Sequence, residues 1–315
     1  MHQRDTQSSA ETVFQKAKSF VYRNARPLDL VRWQYHFENG GKETVLNALF
    51  YYQNENGGFG HALEPDCWNP NSTPIHTWVA TEILKEIDFF DTEYPLIENL
   101  IKYLSSGEAF SGHFWYRTVP SNNEYPHAPW WTADDGYQHE NNYNPTASLS
   151  GFYLLCGDRE SAFYKIAEMI AREAVDAYLS NDDPEMHAIV CYIHLLEYCE
   201  KAGIDDLFDM DVFRNKLILD VKKTINRDTS RWSTSYVCKP SQFFNDRKSP
   251  FYLENREIAE YECDFIEKTQ LENGAWAITW NWNQYQKEYA ISANRWQAAF
   301  AVKNMLYLKG MGKLS

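Results

Sequence analysis

Residues 48–60 read ALFYYQNENGGFG, and residues 264–276 read DFIEKTQLENGAW. Each starts on the tail of an apolar-periodic segment and reaches a glutamine, Gln53 or Gln270. After three further residues comes a glycine, then one residue, then an aromatic: Gly57 and Phe59 in the first, Gly274 and Trp276 in the second. Glycine supplies the positive φ at which helices stop. The glutamine amide suits the backbone groups that a helix end leaves without partners, and the ring can pack over the same turn. Gln53, Gly57, Gly58 and Phe59 therefore read as structural. Weaker copies without the glutamine occur at 103–116 (YLSSGEAFSGHFWY) and 224–232 (TINRDTSRW). The repeating unit is a helical hairpin, which cannot bury its apolar face alone, so several must stack or close into a ring.

Working outward, helices dominate. Ser8 and Glu11 in SSAE form a capping-box pattern before Val13, Phe14, Ala17, Phe20 and Val21, which fall at helical spacing. Thr73-Pro74, Asn144-Pro145 and Asp183-Pro184 each set a capping side chain before a proline, which suits the first helical position. Strand alternation is not evident. Two long connections, near 105–143 and 228–255, are of a length that often carries function. With no Pro-rich or Gly/Ser-rich linker, the expectation is an all-α chain: a frayed or disordered 1–9, then one domain over 10–315.

Charge narrows the partners. The chain carries 44 acids against 30 Lys and Arg, a net charge of −14, which repels nucleic acid and anionic membrane. No apolar run is long enough to span a bilayer, and the first residues lack a secretory h-region. The six cysteines form no CxxC pair, which fits reduced thiols and a cytoplasmic location. Aromatics make up 16% of the chain, a fraction that suits a ring-lined cavity as well as a core built from large residues.

At Gln53–Phe59 and Gln270–Trp276 the sequence resembles the QW-type repeats of the terpenoid cyclase and protein prenyltransferase superfamily. The resemblance implies an α/α toroid, a ring of helical hairpins around a central cavity, and an enzyme acting there on an apolar, isoprenoid-type ligand. The superfamily's catalytic signatures are not intact. TADD (132–135) has Thr132 where a protonating DxDD cluster has its first acid. DDGYQ (134–138) lacks the last acid of a Mg²⁺-binding DDxxD motif, and Asp66 adjoins Cys67 without the spacing of a zinc-binding Asp-x-Cys pair. The cofactor is thus left open, with Mg²⁺ as the candidate.

Three constellations offer chemistry. The first is His61, Glu64, Asp66, Cys67, Trp68 and His76, where paired acids suit proton transfer and a polar helix entrance is the structural alternative. In the second, Trp130, Trp131, Tyr137 and Tyr143 surround Asp134, Asp135, His139 and Glu140. Rings among acids stabilise a carbocation, or stack on sugars while carboxylates perform glycosidic acid/base work. A metal set of His113, His127, Asp134 and His139 fits no compact motif. The third holds Trp280 and Trp282 between Asn281 and Asn283, placed to line a cavity mouth. His187 and His194 lie on an apolar helix and read as core histidines. Under the isoprenoid reading Asp134 and Asp135 bind metal or donate a proton, with Glu64 and Asp66 in support. The alternatives are a carbohydrate-active enzyme, a glycosidase or polysaccharide lyase using the same acids, and a non-catalytic binding protein.

Overall fold

Thr73 is the N-cap of a helix that starts at Pro74, as its side chain accepts the His76 N–H at 3.2 Å. This is one of eleven α-helices in a computed structural model that describes residues 2–134 and 143–314. In chain order they are α1 (His2–Asn24), α2 (Pro27–Phe37), α3 (Lys42–Phe50), α4 (Pro74–Glu86), α5 (Pro95–Ser105) and α6 (Thr146–Cys156). Next come α7 (Ala162–Leu179), α8 (Met186–Ala202), α9 (Met210–Thr224), α10 (Tyr252–Thr269) and α11 (Gln286–Gly310). Among the described residues there is no strand, only four isolated bridges, so the all-α expectation holds. Among the described residues no helix is long and apolar enough to cross a membrane.

Two starts differ from the proline reading. Asn144 does not cap α6: the Asn144–Pro145 peptide is cis, Pro145 precedes the helix, and the first helical residue is Thr146. Asp183 does not cap α8, because Glu185 does so by accepting the Ala188 N–H. At the amino end α1 begins ahead of Ser8, at His2, which leaves the SSAE pattern inside a helix.

The chain divides into two compact units, Met1–Ala48 with Val221–Ser315, and Leu49–Asp220. In the first, α1 packs on α2, α10 and α11. Val13, Ala17, Phe20 and Val21 are buried along α1, the spacing the sequence displays. Gly310 lies so near the Asn245 carbonyl that a Cβ there would overlap it, at 1.8 Å.

In the second unit α6 packs on α7 and α8 and touches α4 and α5. Only Leu155 of its residues escapes full burial. A helix apolar all round has nowhere else to go. Its small residues set the spacing: a Cβ on Gly151 would lie 2.9 Å from the Leu195 Cα of α8. The 51–73 and 106–145 connections belong to this unit, and they carry most of the candidate chemistry.

Candidate functional site: a polar buried loop and an aromatic cleft

The Gln53 side chain donates to the Gly57 carbonyl at 3.0 Å and to the Leu96 carbonyl of α5 at 2.9 Å. Gly57 has φ +89°, and a Cβ there would stand 2.0 Å from the Asn99 carbonyl oxygen. Phe59, two residues on, is fully buried. The turn thus pins one connection to the helix beside it, and its residues have no room for other work.

Beyond it, His61 and Ala62 adopt positive φ (58° and 57°), and the chain folds inward. Glu64 and Asp66 are buried at 6% and 2% exposure, with the Asp66 N–H donating to Glu64 Oε1 at 3.3 Å. Asn69 is fully buried and donates to Asn122 Oδ1 at 2.9 Å, while Asn122 donates to the Trp131 carbonyl. Ala128 N–H donates to the Asp66 carbonyl and Trp68 N–H to that of Pro126, so segments 66–68 and 126–128 run side by side. The first constellation therefore neighbours the segment that leads into Trp130 and Trp131.

His76 and His127 are each held at both nitrogens. His76 donates from Nε2 to the Cys67 carbonyl at 3.0 Å, and its Nδ1 lies 2.6 Å from Thr73 Oγ1. A carbonyl only accepts, so Nε2 carries the proton and Nδ1 accepts from the hydroxyl. His127 is the mirror case, with Nδ1 donating to the Tyr125 carbonyl at 2.6 Å and Nε2 accepting from Thr132. Burial, with help from Glu64 and Asp66, pushes the Cys67 thiol up to about 12, so it stays protonated and unreactive. His61 sits on the exposed side and pairs with Asn54 Oδ1 at 2.9 Å.

Where Pro129, Trp130 and Thr132 continue from the 126–128 segment, they join the lining of an open cleft of about 420 Å³. His113, Tyr116, Arg117, Trp130, Asp134 and Glu173 line it, together with Tyr143 and Asn144. Trp130 keeps 41% of its surface exposed, and Asp134 is exposed. His113 Nδ1 stands 3.0 Å from one oxygen of Glu173 and 3.3 Å from the other. Burial, then the nearby Glu173 and Asp176, holds the Tyr143 phenol above its ordinary range. Asn144 Oδ1 accepts the Cys191 thiol at 3.6 Å.

Of the residues the sequence singles out, Trp130 and Asp134 line the cleft. Glu64, Asp66 and Trp68 do not line it and belong to the 61–69 loop, and Trp131 is half-buried. Asp135, Tyr137, His139 and Glu140 lie outside the described residues. Trp280 and Trp282 belong to the other unit. Trp282 is fully enclosed, and Trp280 stacks edge-on against Tyr236, Trp296 and Phe300. His194 is buried with Nδ1 2.8 Å from Glu82 Oε1, out of line for a hydrogen bond, whereas His187 is more than a third exposed and is not a core residue. Among the described residues no group of three His, Cys, Asp or Glu is arranged to hold a metal ion.

Sequence reasoning missed Glu173 and assigned His113 only to a metal set. Glu173 sits mid-helix in α7 among other charged residues, and nothing in AREAVDA marks it. Its partner lies 60 residues away, so only the fold reveals the pair. The chain matches no protein-family model, no curated protein and no solved structure.

Proposed function

We propose that this chain is a carbohydrate-active protein that binds an oligosaccharide in the cleft of its second unit, on a fold of the α/α toroid type. The observation that carries the reading is the composition of the cleft. An exposed indole, Trp130, shares one open surface with carboxylates (Asp134, Glu173), hydroxyls (Tyr116, Tyr143, Thr132), an amide (Asn144) and a guanidinium (Arg117). A sugar presents an apolar C–H face to a ring and a rim of hydroxyls to polar groups, and this lining offers both. An isoprenoid requires the opposite, an enclosed apolar chamber in which polar groups stay unsolvated. The toroid reading is supported by the Gln53 and Gln270 turns, which tie loop to helix in the same way, and by hairpin packing of α1 on α2 and of α10 on α11.

Thermal unfolding against a ligand panel tests the assignment, because a ligand that binds only the native state raises the midpoint. Neutral and acidic oligosaccharides are expected to raise it and prenyl diphosphates to leave it unchanged. A rise with a prenyl diphosphate that needs Mg²⁺, and none with sugars, would replace this reading with the isoprenoid one.

A further inference from the structure

We infer that the cleft cleaves a uronate-containing oligosaccharide by β-elimination, with His113 as the base, Tyr143 as the acid and Glu173 as the residue that positions His113. This rests on the carbohydrate reading above and adds to it the substrate class and the reaction. The geometry begins with the imidazole. Glu173 accepts from His113 Nδ1 at 3.0 Å, which fixes the proton of the neutral ring on that nitrogen. Nε2 is then the lone-pair nitrogen, on a side chain that remains 60% exposed at the cleft. A base of this kind has its tautomer and orientation set by a carboxylate behind it.

Removing a carbon-bound proton also requires a sink for the charge that develops. A uronate supplies one in its carboxylate, provided cationic or amide donors stabilise the added charge. Arg117 and Asn144 share the cleft. Arg117 has five N–H donors and can serve a substrate carboxylate alongside another partner. In Asn144 the Cys191 thiol donates to Oδ1, which makes Nδ2 the donating end. Tyr143 supplies the acid. It lines the same cleft as His113 and Glu173, and a phenol carries its proton at neutral pH.

The step balances without water or any co-reactant. His113 Nε2 takes the proton from the carbon next to the uronate carboxylate. The electron pair of that C–H bond becomes a C=C double bond as the adjacent C–O bond breaks, and the departing oxygen takes the proton of Tyr143. Proton exchange with solvent then restores both side chains. Trp130 is placed to carry the flat face of a sugar ring. Because the chain bears a net charge of −14, a polyuronate meets long-range repulsion, so moderate salt is expected to help binding where it usually hinders it.

The test incubates the chain with polygalacturonate, alginate and hyaluronan and reads two signals: ultraviolet absorbance of the conjugated double bond, and new reducing ends. Both should rise together. His113→Ala should lose about a hundredfold or more in rate and regain part of it with free imidazole, which a merely structural histidine would not. Glu173→Gln should lower kcat by about tenfold with KM unchanged, and Tyr143→Phe should behave likewise. Urea midpoints of all three check folding, with His113→Gln as substitute if the alanine variant fails to fold. Reducing ends without absorbance would mean hydrolysis, and would overturn the elimination while leaving the carbohydrate reading standing. Neutral sugars binding where polyuronates neither bind nor react would do the same. A Glu173→Gln variant as active as the parent would remove Glu173 from its role. Failure of every sugar to shift the midpoint would overturn both.

Discussion

The turns at Gln53 and Gln270 lie in different units and are built alike. Each amide donates to the carbonyl of its own glycine (Gly57, Gly274) at 3.0 Å and to one carbonyl of a neighbouring helix, Leu96 or Val13, at 2.9 Å. The two glycines have φ of +89° and +94°, and a Cβ on either would stand about 2 Å from a backbone carbonyl, that of Asn99 or Lys16. Beyond the turns the two regions diverge. After Phe59 the chain buries two carboxyl groups and supports an open cleft, whereas after Trp276 it builds a packed aromatic cluster around Trp280 and Trp282. The turn is a fastening compatible with any chemistry, so its presence does not identify a reaction.

Alanine at either glycine gives the largest expected effect. Gly57→Ala and Gly274→Ala combine positive φ with overlap on backbone, and each should cost about 3 kcal/mol or more in urea unfolding. Gly107, with φ +82° and nothing within 4 Å of a Cβ, separates the two causes. Alanine there should cost only about 1 kcal/mol. Equal losses at all three would mean that the close approach contributes nothing. Gln53→Ala and Gln270→Ala come next, at about 1–3 kcal/mol each, since each strips the glycine carbonyl of its side-chain donor and unties the turn from the neighbouring helix. A large loss at one and none at the other would end the equivalence.

Much of this architecture was legible in the sequence, because the signals are local. Glycine after a periodic apolar run, and Thr73 before Pro74, act through their own backbone and immediate neighbours. Asn144 and Asp183 misled because a capping residue before proline is only an opportunity: Pro145 itself stands at the N-cap of α6, and Glu185 supplants Asp183 at α8. The site was legible in part. Trp130 and Asp134 stand in a segment dense with rings and acids, and that density is visible. The His113–Glu173 pair is not, since it is made by a loop meeting a helix with no shared pattern. Glu64 and Asp66 showed as acids, but their burial depends on tertiary packing.

Buried carboxyl groups extend the comparison to pH. In the first unit Glu262 is fully enclosed. Burial pushes its carboxyl up, against the lowering effect of the Ser241 N–H and hydroxyl at 2.8 and 2.5 Å. A group whose folded pKa exceeds its unfolded value binds more protons when folded, so stability falls as pH rises from the ordinary carboxylate value, about 4.5, through the raised one. Chemical unfolding across that range should show the decline, and Glu262→Gln should flatten it. A decline of equal slope in the variant would place its source elsewhere. Smallest of all, Asp134→Asn at the exposed rim of the cleft should leave stability within about 0.5 kcal/mol of the parent while reducing oligosaccharide binding.

The most direct measurement is calorimetric titration of the best oligosaccharide of the panel into two variants, Trp130→Ala in one unit and Trp280→Ala in the other. Loss of about tenfold or more in affinity at Trp130, with Trp280→Ala binding as the parent does, is the result predicted. Undiminished binding by Trp130→Ala together with loss in Trp280→Ala would contradict the account and move the ligand to the aromatic cluster of the first unit.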